Sequence, residues 1–303
     1  MNAIESLDLC KHFVGKKRSK IEALKGLDLS IAQGEVFGFL GPNGAGKSTA
    51  IKLIMGLLRP TSGTASVMGI NVSKAESRLC VGYLPENPAF YDYLSAEEYV
   101  TFVGRQFGME KDLLQRRTNE VLKRLDLWEA RKRPMRGYSK GMVQRVGLAQ
   151  TLVHAPDVYI LDEPMSGLDP IGRALVKEII LELKEQGKSV FFSTHITDDV
   201  EKVCDRVGVI VKGSLVALDT VENILRRGVE GYLVQISLKD AEACSVEGFN
   251  LVREHETTLE YYVPKEDFNR FMTQVSKSGF EVTLVETRRK DLEDFFLSLV
   301  QGS

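Results

Sequence analysis

The chain has 303 residues, 43% of them hydrophobic and 27% charged, with a formal net charge of −2; this suits a globular protein with one large domain and a smaller one. So balanced a charge excludes the domain-wide basic excess with which nucleic-acid binders neutralise phosphates. Cysteines 10, 80, 204 and 244 form no CxxC pair, no apolar run approaches a membrane span, and the opening MNAIESLDLCKHF has neither the basic nor the apolar region of a secretion signal. Reduced thiols in a cytosolic protein are therefore expected, and any membrane role would pass through a partner.

In chain order, the first 35 residues alternate polar and apolar (Ile4, Leu7, Leu9, then Leu27, Leu29, Ile31), which predicts antiparallel strands with one buried face. Between them lies a polar tip, Lys16-Lys17-Arg18-Ser19-Lys20, either a solvated hairpin end or a contact for anionic lipid head groups. Val36 to Leu40 is a short apolar run ending at a glycine-rich turn. A helix then carries Ile51, Ile54, Met55 and Leu58 on one face and stops at Pro60. Residues from about 95 to 150 read as largely helical. Val158 to Leu161 and Val190 to Phe192 have the character of buried central strands, with a helix around Ala174 to Glu185 between them. Strands alternating with helices predict a parallel α/β sheet. Beyond Gly228 to Gly231 the pattern becomes strand (Tyr232 to Leu238), strand (Leu259 to Val263), helix (Phe268, Phe271, Met272, Val275), strand (Phe280 to Val285) and a final helix (Leu292, Phe295, Phe296, Leu299), a small α+β module.

The strongest chemical signal is Gly41-Pro42-Asn43-Gly44-Ala45-Gly46-Lys47-Ser48-Thr49, a GxxxxGK[ST] phosphate-binding loop between a strand and a helix. Glycines let successive backbone N–H groups turn inward around a phosphate, and the following helix points its positive end at the same anion. Lys47 would reach the β- and γ-phosphates, and the Ser48 hydroxyl would ligate Mg²⁺. Further on, the apolar strand Val158 to Leu161 delivers Asp162 and Glu163 to the carboxyl edge of the sheet. There Asp162 would hold Mg²⁺ and Glu163 would activate the attacking water as general base; the bland alternative is an acidic pair ending a strand. No NKxD-type guanine-reading motif occurs, which points to ATP.

With these motifs the sequence resembles the nucleotide-binding subunits of ABC transporters, over residues 1 to about 225. Tyr138-Ser139-Lys140-Gly141-Met142-Val143-Gln144-Arg145 resembles the family's signature motif, usually LSGGQ, and departs from it at Lys140 and Met142. The resemblance implies that Ser139 and Gly141 contact the γ-phosphate held by an opposite subunit. It implies that Ser166-Gly167-Leu168-Asp169 is the D-loop at the dimer seam, that His195 is the switch histidine touching the γ-phosphate, and that Phe13 stacks on adenine; the alternative for Phe13 is core packing. Glu86, in Gly82-Tyr83-Leu84-Pro85-Glu86, stands where the family has a glutamine, so it is either a third metal ligand or a solvated loop acid.

The implied fold is α/β, a P-loop NTPase of ABC type with a mainly parallel sheet core, an antiparallel β subdomain and a helical subdomain at about 87–150. It occupies residues 1–228, with a small C-terminal α+β domain at 229–303. The tail resembles the accessory domain of ATPases that pair with drug, polysaccharide or sodium exporters. The implied function is ATP hydrolysis in a head-to-tail dimer, with itself or a homologous subunit, driving a separately encoded transmembrane permease from the cytoplasmic face. Cofactors are ATP and Mg²⁺, and nucleic acid is not a partner. Two other classes fit the loop alone: a soluble mechanical ATPase acting on ribosome or DNA, and a module that holds nucleotide without turnover. One phosphate loop, no long heptad segment and the presence of Lys47, Asp162, Glu163 and His195 together speak against both.

Overall fold

The computed structural model describes residues 1–14, 19–237, 245–255, 257–289 and 291–301. Lys16, Lys17 and Arg18 of the expected polar tip lie outside these, as do Leu238 and Cys244. Contacts divide the chain into two compact units, Met1–Val221 and Glu222–Gly302.

In the first unit, the alternating opening forms β1 (Asn2–Val14) and β2 (Lys20–Ala32), paired antiparallel as expected, from Asn2 opposite Ala32 to Val14 opposite Lys20 with register shifts along the way. With β4 (Ser62–Val67) and β5 (Ile70–Asn71) they make a four-stranded sheet in the order β2-β1-β4-β5. The continuous apolar runs become the middle of a second sheet: β3 (Val36–Leu40), β7 (Val158–Asp162) and β8 (Ser189–Thr194) are buried along their whole length. Burial on both faces is what an all-apolar run needs, and parallel strands covered by helices supply it. The order is β10-β9-β3-β8-β7-β6, where β6 is Val81–Leu84, β9 Arg206–Val211 and β10 Ser214–Thr220; β10 runs antiparallel and the rest parallel.

The helix after the phosphate loop is shorter than its periodicity predicts. α1 spans Lys47–Ile54, and the chain turns off at Gly56, whose φ is +64°, so Leu58 falls outside it. A glycine in the left-handed region just past the last turn ends a helix before a downstream proline can. The helical segment comprises α2 (Ala96–Gln106), α3 (Lys111–Arg124) and α4 (Lys140–Leu152). α2 starts at a capping box in which Ser95 and Glu98 satisfy each other's backbone N–H groups, and α4 starts at the hydroxyl of Ser139. Their apolar faces share a core with one side of the sheet, including Val100, Leu122, Val146, Leu161 and Phe192. The other side packs with α1 and the antiparallel sheet through Ile4, Leu29, Phe39, Ile51 and Phe191. α5 (Pro170–Glu185) and α6 (Thr197–Val203) complete the unit.

The second unit holds β11 (Val229–Ser237), β12 (Asn250–Glu254), β13 (Thr258–Pro264) and β14 (Glu281–Arg289) in the antiparallel order β12-β13-β11-β14. α7 (Val221–Arg227) leads into it. α8 (Phe268–Lys277) lays Phe271 and Val275 onto a core of Val234, Ile236, Tyr261 and Val263, and α9 (Leu292–Gln301) ends the described chain.

Candidate functional site

The carboxyl edge of the parallel sheet gathers three turns. β3 runs into the loop 41–46, β7 into Glu163 and Pro164, and β8 into His195. Backbone bonds lock the turns together: Gly41 N–H donates to Thr194 O at 3.2 Å, and Glu163 N–H donates to Ser193 O at 3.2 Å. The turn after β9 braces the loop from the other side, with Gly213 N–H on Ala45 O and Lys25 N–H on Gly213 O, both 2.8 Å. Gly46 has φ of +110°, and a Cβ there would meet the Ala23 carbonyl oxygen at 2.5 Å, so only glycine lets the loop turn this tightly against β2.

The result is a cleft of about 240 Å³ lined by the loop residues Pro42, Asn43, Gly44, Gly46, Lys47, Ser48 and Thr49 together with Ala23, Glu86 and Glu163. Gly41 and Ala45 belong to the same loop, buried behind it. Lys47 Nζ donates to Gly41 O at 2.7 Å and stands 3.3 Å from Glu163 Oε1. His195 Nδ1 lies 3.1 and 3.0 Å from the two Glu163 oxygens, and its own side chain is 46% exposed. One carboxylate thus sits between an ammonium and an imidazole. Glu163 also holds φ of +50°, a left-handed conformation that costs a non-glycine residue roughly 1–3 kcal/mol.

Asp162 is buried beneath the cleft and accepts a hydrogen bond from Ser193 Oγ at 2.5 Å. Burial pushes its carboxyl above the usual carboxylate range, against the downward pull of hydrogen bonds from Ser193 and Ser48. A hydroxyl beside a carboxylate is a hard-oxygen set that fits Mg²⁺, which takes one or two protein carboxylates and completes its shell with phosphate and water.

Four expected residues, Ser139, Gly141, Asp169 and Phe13, lie outside this cleft. Ser139 is exposed, and its hydroxyl accepts from Met142 N–H at 3.2 Å at the start of α4. Gly141 follows in the first turn, where a Cβ would touch Leu168 Cδ2 at 3.6 Å, so the segment packs on the 166–169 loop of its own chain. Asp169 caps α5 through Gly172 N–H at 2.8 Å. Phe13, near the end of β1, is 39% exposed with Lys11 Nζ 5.3 Å from its ring centre, and so is not core packing.

Sequence patterns missed three residues that the site uses. Ala23 supplies the wall beside Gly46. Ser193 bridges Asp162 and the Glu163 backbone, its Oγ accepting from Glu163 N–H at 3.0 Å. Gln144, 3% exposed, donates from Nε2 to Glu163 O at 3.3 Å and Pro164 O at 3.1 Å. A polar residue at the end of an otherwise apolar strand is the one signal for Ser193; Gln144 falls inside the segment that resembles the signature motif, with no sign of its contact to Glu163, and Ala23 offers none.

This fold and cleft are those of an ATP-binding cassette. The ABC transporter family pattern matches residues 24–166. An ABC transporter ATP-binding protein of Synechocystis sp. is 40% identical over 280 residues, covering 92% of this chain and 78% of that one. The bacitracin transport ATP-binding protein of Bacillus licheniformis is 31% identical over 312 residues, covering 99% and 97%. A solved ATP-binding subunit of an ABC transporter superposes with a TM-score of 0.67 at 31% identity, over 74% of this chain and 92% of that one. The chain belongs to the ATP-binding proteins of ABC transporters. It is an ATPase subunit that binds ATP and hydrolyses it to power transport through a separate permease.

Proposed function

We propose that two copies, or one copy and a homologous subunit, close head to tail, so that ATP cradled by residues 41–49 of one is sealed by Ser139 and Gly141 of the other. The observation carrying this is the separation of the two half-sites: the loop and Glu163 line one cleft, while Ser139 caps a helix with its face exposed to solvent. Anion-binding N–H groups at a helix start are useful only against a phosphate brought from outside.

In this arrangement Lys47 leaves Glu163 for the phosphates, and Glu163, oriented by His195, takes the proton of the attacking water. Ser48 and Asp162 would hold Mg²⁺, with Glu86 at the rim of the same cleft as a further ligand; bound there, the ion neutralises phosphate charge. Asp169 stands at the seam, and Phe13 offers an exposed ring for the base. The work goes into a transmembrane permease, a reading supported by the likeness to the bacitracin transport ATP-binding protein; no described helix is long and apolar enough to cross a membrane. The subunit then sits peripherally at the cytoplasmic face. Export is the favoured direction, because likeness to the bacitracin transport protein runs through the second unit as well as the first.

The test is Glu163→Gln, which keeps the shape of the base and removes its basicity. With Mg-ATP it should elute from gel filtration at twice its nucleotide-free mass, and a membrane protein should copurify with the wild-type chain. A variant that stays monomeric at saturating Mg-ATP overturns the proposal.

A further inference from the structure

We propose that Gln144 is a positioning residue that makes the orientation of Glu163 depend on what the Ser139 of the same chain is gripping. The inference rests on the head-to-tail dimer proposed above, and it concerns how the two sites of that dimer sense each other.

Glu163 is not held by ordinary strand geometry. Its backbone is in the left-handed region and needs outside support to stay there. Support on one side is Ser193, which accepts the Glu163 N–H through both its carbonyl and its hydroxyl. On the other side the Glu163 and Pro164 carbonyls both receive the Gln144 amide. Glu163 O also accepts from Ser166 N–H at 3.0 Å, whereas Pro164 O takes its donor from the Gln144 amide. A buried amide NH₂ carries the N–H groups that reach both oxygens. A carboxylate there would face both oxygens with no proton, and an apolar side chain would take this donor from Pro164 O and leave Glu163 O with Ser166 N–H.

Gln144 lies in the second turn of α4, the helix that Ser139 caps. The first turn of α4 touches the same loop further along. A Cβ at Gly167 would meet the stem of Lys140 at 2.7 Å, and one at Gly141 would lie 3.7 Å from Gly167 O. The start of α4 therefore rests on the 163–168 segment at both ends, through the Gln144 amide at residues 163 and 164 and through packing at 167 and 168. A helix moves as a rigid piece, so a nucleotide drawing Ser139 toward a second copy moves the Gln144 amide with it. Of these contacts, the amide is the one that reaches the backbone of the general base. Engagement of one nucleotide is thus transmitted to the base that serves the other, and the two sites fire together.

The experiment uses the full-length chain and two variants of near-native volume, Gln144→Met and Gln144→Glu, both of which remove the donors. Phosphate release is measured against ATP concentration, together with melting temperature and the binding of a fluorescent ATP analogue. Because a positioned general base contributes about 10²–10⁴-fold, the expected result is a fall in kcat of about tenfold or more. KM and analogue affinity should stay within about twofold, and the Hill coefficient for ATP should drop toward one. Unchanged kcat and Hill coefficient in a folded variant overturn the proposal. So does a parallel loss of KM, melting temperature and kcat, or failure of both variants to fold, since either makes Gln144 a plain core residue. Glu163→Gln, alone and combined with Gln144→Met, is run on gel filtration beside them. If the single variant fails to dimerise, the dimer itself is refuted; if it dimerises, only the kinetics judge Gln144.

Discussion

Lys47 Nζ and Glu163 Oε1 face each other at 3.3 Å with side chains only 7% and 9% exposed, so the ammonium proposed to grip phosphate is held by the carboxylate proposed to activate the attacking water. Removing one partner of an enclosed pair leaves a stranded charge, worth roughly 3–5 kcal/mol. Lys47→Ala should therefore both destabilise the nucleotide-free chain and weaken ATP binding by about 10²-fold, the equivalent of one or two charge-assisted bonds. Glu163→Gln should behave oppositely toward nucleotide. It frees Lys47, so ATP binds more tightly while phosphate release falls by about 10²–10³-fold. Titration with a fluorescent ATP analogue decides the matter: unchanged or weaker affinity in Glu163→Gln would mean the pair does not compete with phosphate.

Two glycines of the loop should differ sharply when given a methyl group. Gly44 has φ of +79° with no atom within 4 Å of a new Cβ, whereas Gly46 has φ of +110° and a backbone oxygen 2.5 Å away. Gly44→Ala carries only the torsional penalty, about 1 kcal/mol, and should lower the melting temperature by about 2–4 °C. Gly46→Ala must also push β2 and the loop apart, so its loss should be several times larger. Equal shifts in a thermal melt would show that the loop yields freely at both positions.

How much of this was legible beforehand follows from how far apart the partners lie in the chain. The 41–49 loop and the Asp162-Glu163 pair are local patterns, each complete within a strand and its following turn. β3, β7 and β8 were readable because burial on both faces leaves no polar alternation to confuse the pattern. β12 is exposed along its whole length and gives no such signal, and its place in the sheet depends on pairing with β13. Strand order was invisible for a related reason: β6 joins the sheet beside β7, some seventy positions later, by contacts no window of sequence spans. The same holds within the site. Ser193 meets Glu163 across 30 positions and Gln144 meets it across 19, so neither spacing resembles a motif. The length of α1 was misjudged because apolar periodicity continues to Leu58 while Gly56 has already turned the chain.

His154 should make the fold acid-sensitive. Its ring stacks on Phe107 at 3.7 Å, and its Nε2 lies 3.3 Å from Val81 O. Burial holds its pKa below 6.5, because the charged ring would be desolvated. The unfolded chain therefore takes up this proton first as pH falls, and stability is lost from about 6.5 downward until the folded ring is protonated too. His154→Gln removes the titration. Melting curves from pH 8 to 5.5 should show the wild type falling relative to the variant only in the acid part of that range. Parallel curves would place the acid sensitivity elsewhere.

Glu86 lines the same cleft as Ser48 and Glu163 but is itself exposed, so its charge is partly screened and its effect should be kinetic, not structural. If it ligates Mg²⁺, Glu86→Gln replaces a charged oxygen by a neutral one and should raise the Mg²⁺ concentration for half-maximal phosphate release by about tenfold or less, the range of one screened charge-assisted contact. The melting temperature of the nucleotide-free chain should not move. Relief of repulsion between Glu86 and Glu163 acts in the other direction, on kcat at saturating Mg²⁺, which should hold or rise. Measuring phosphate release across a Mg²⁺ series at fixed ATP separates the two effects. An Mg²⁺ dependence identical to wild type would assign Glu86 to a solvated loop that never reaches the metal.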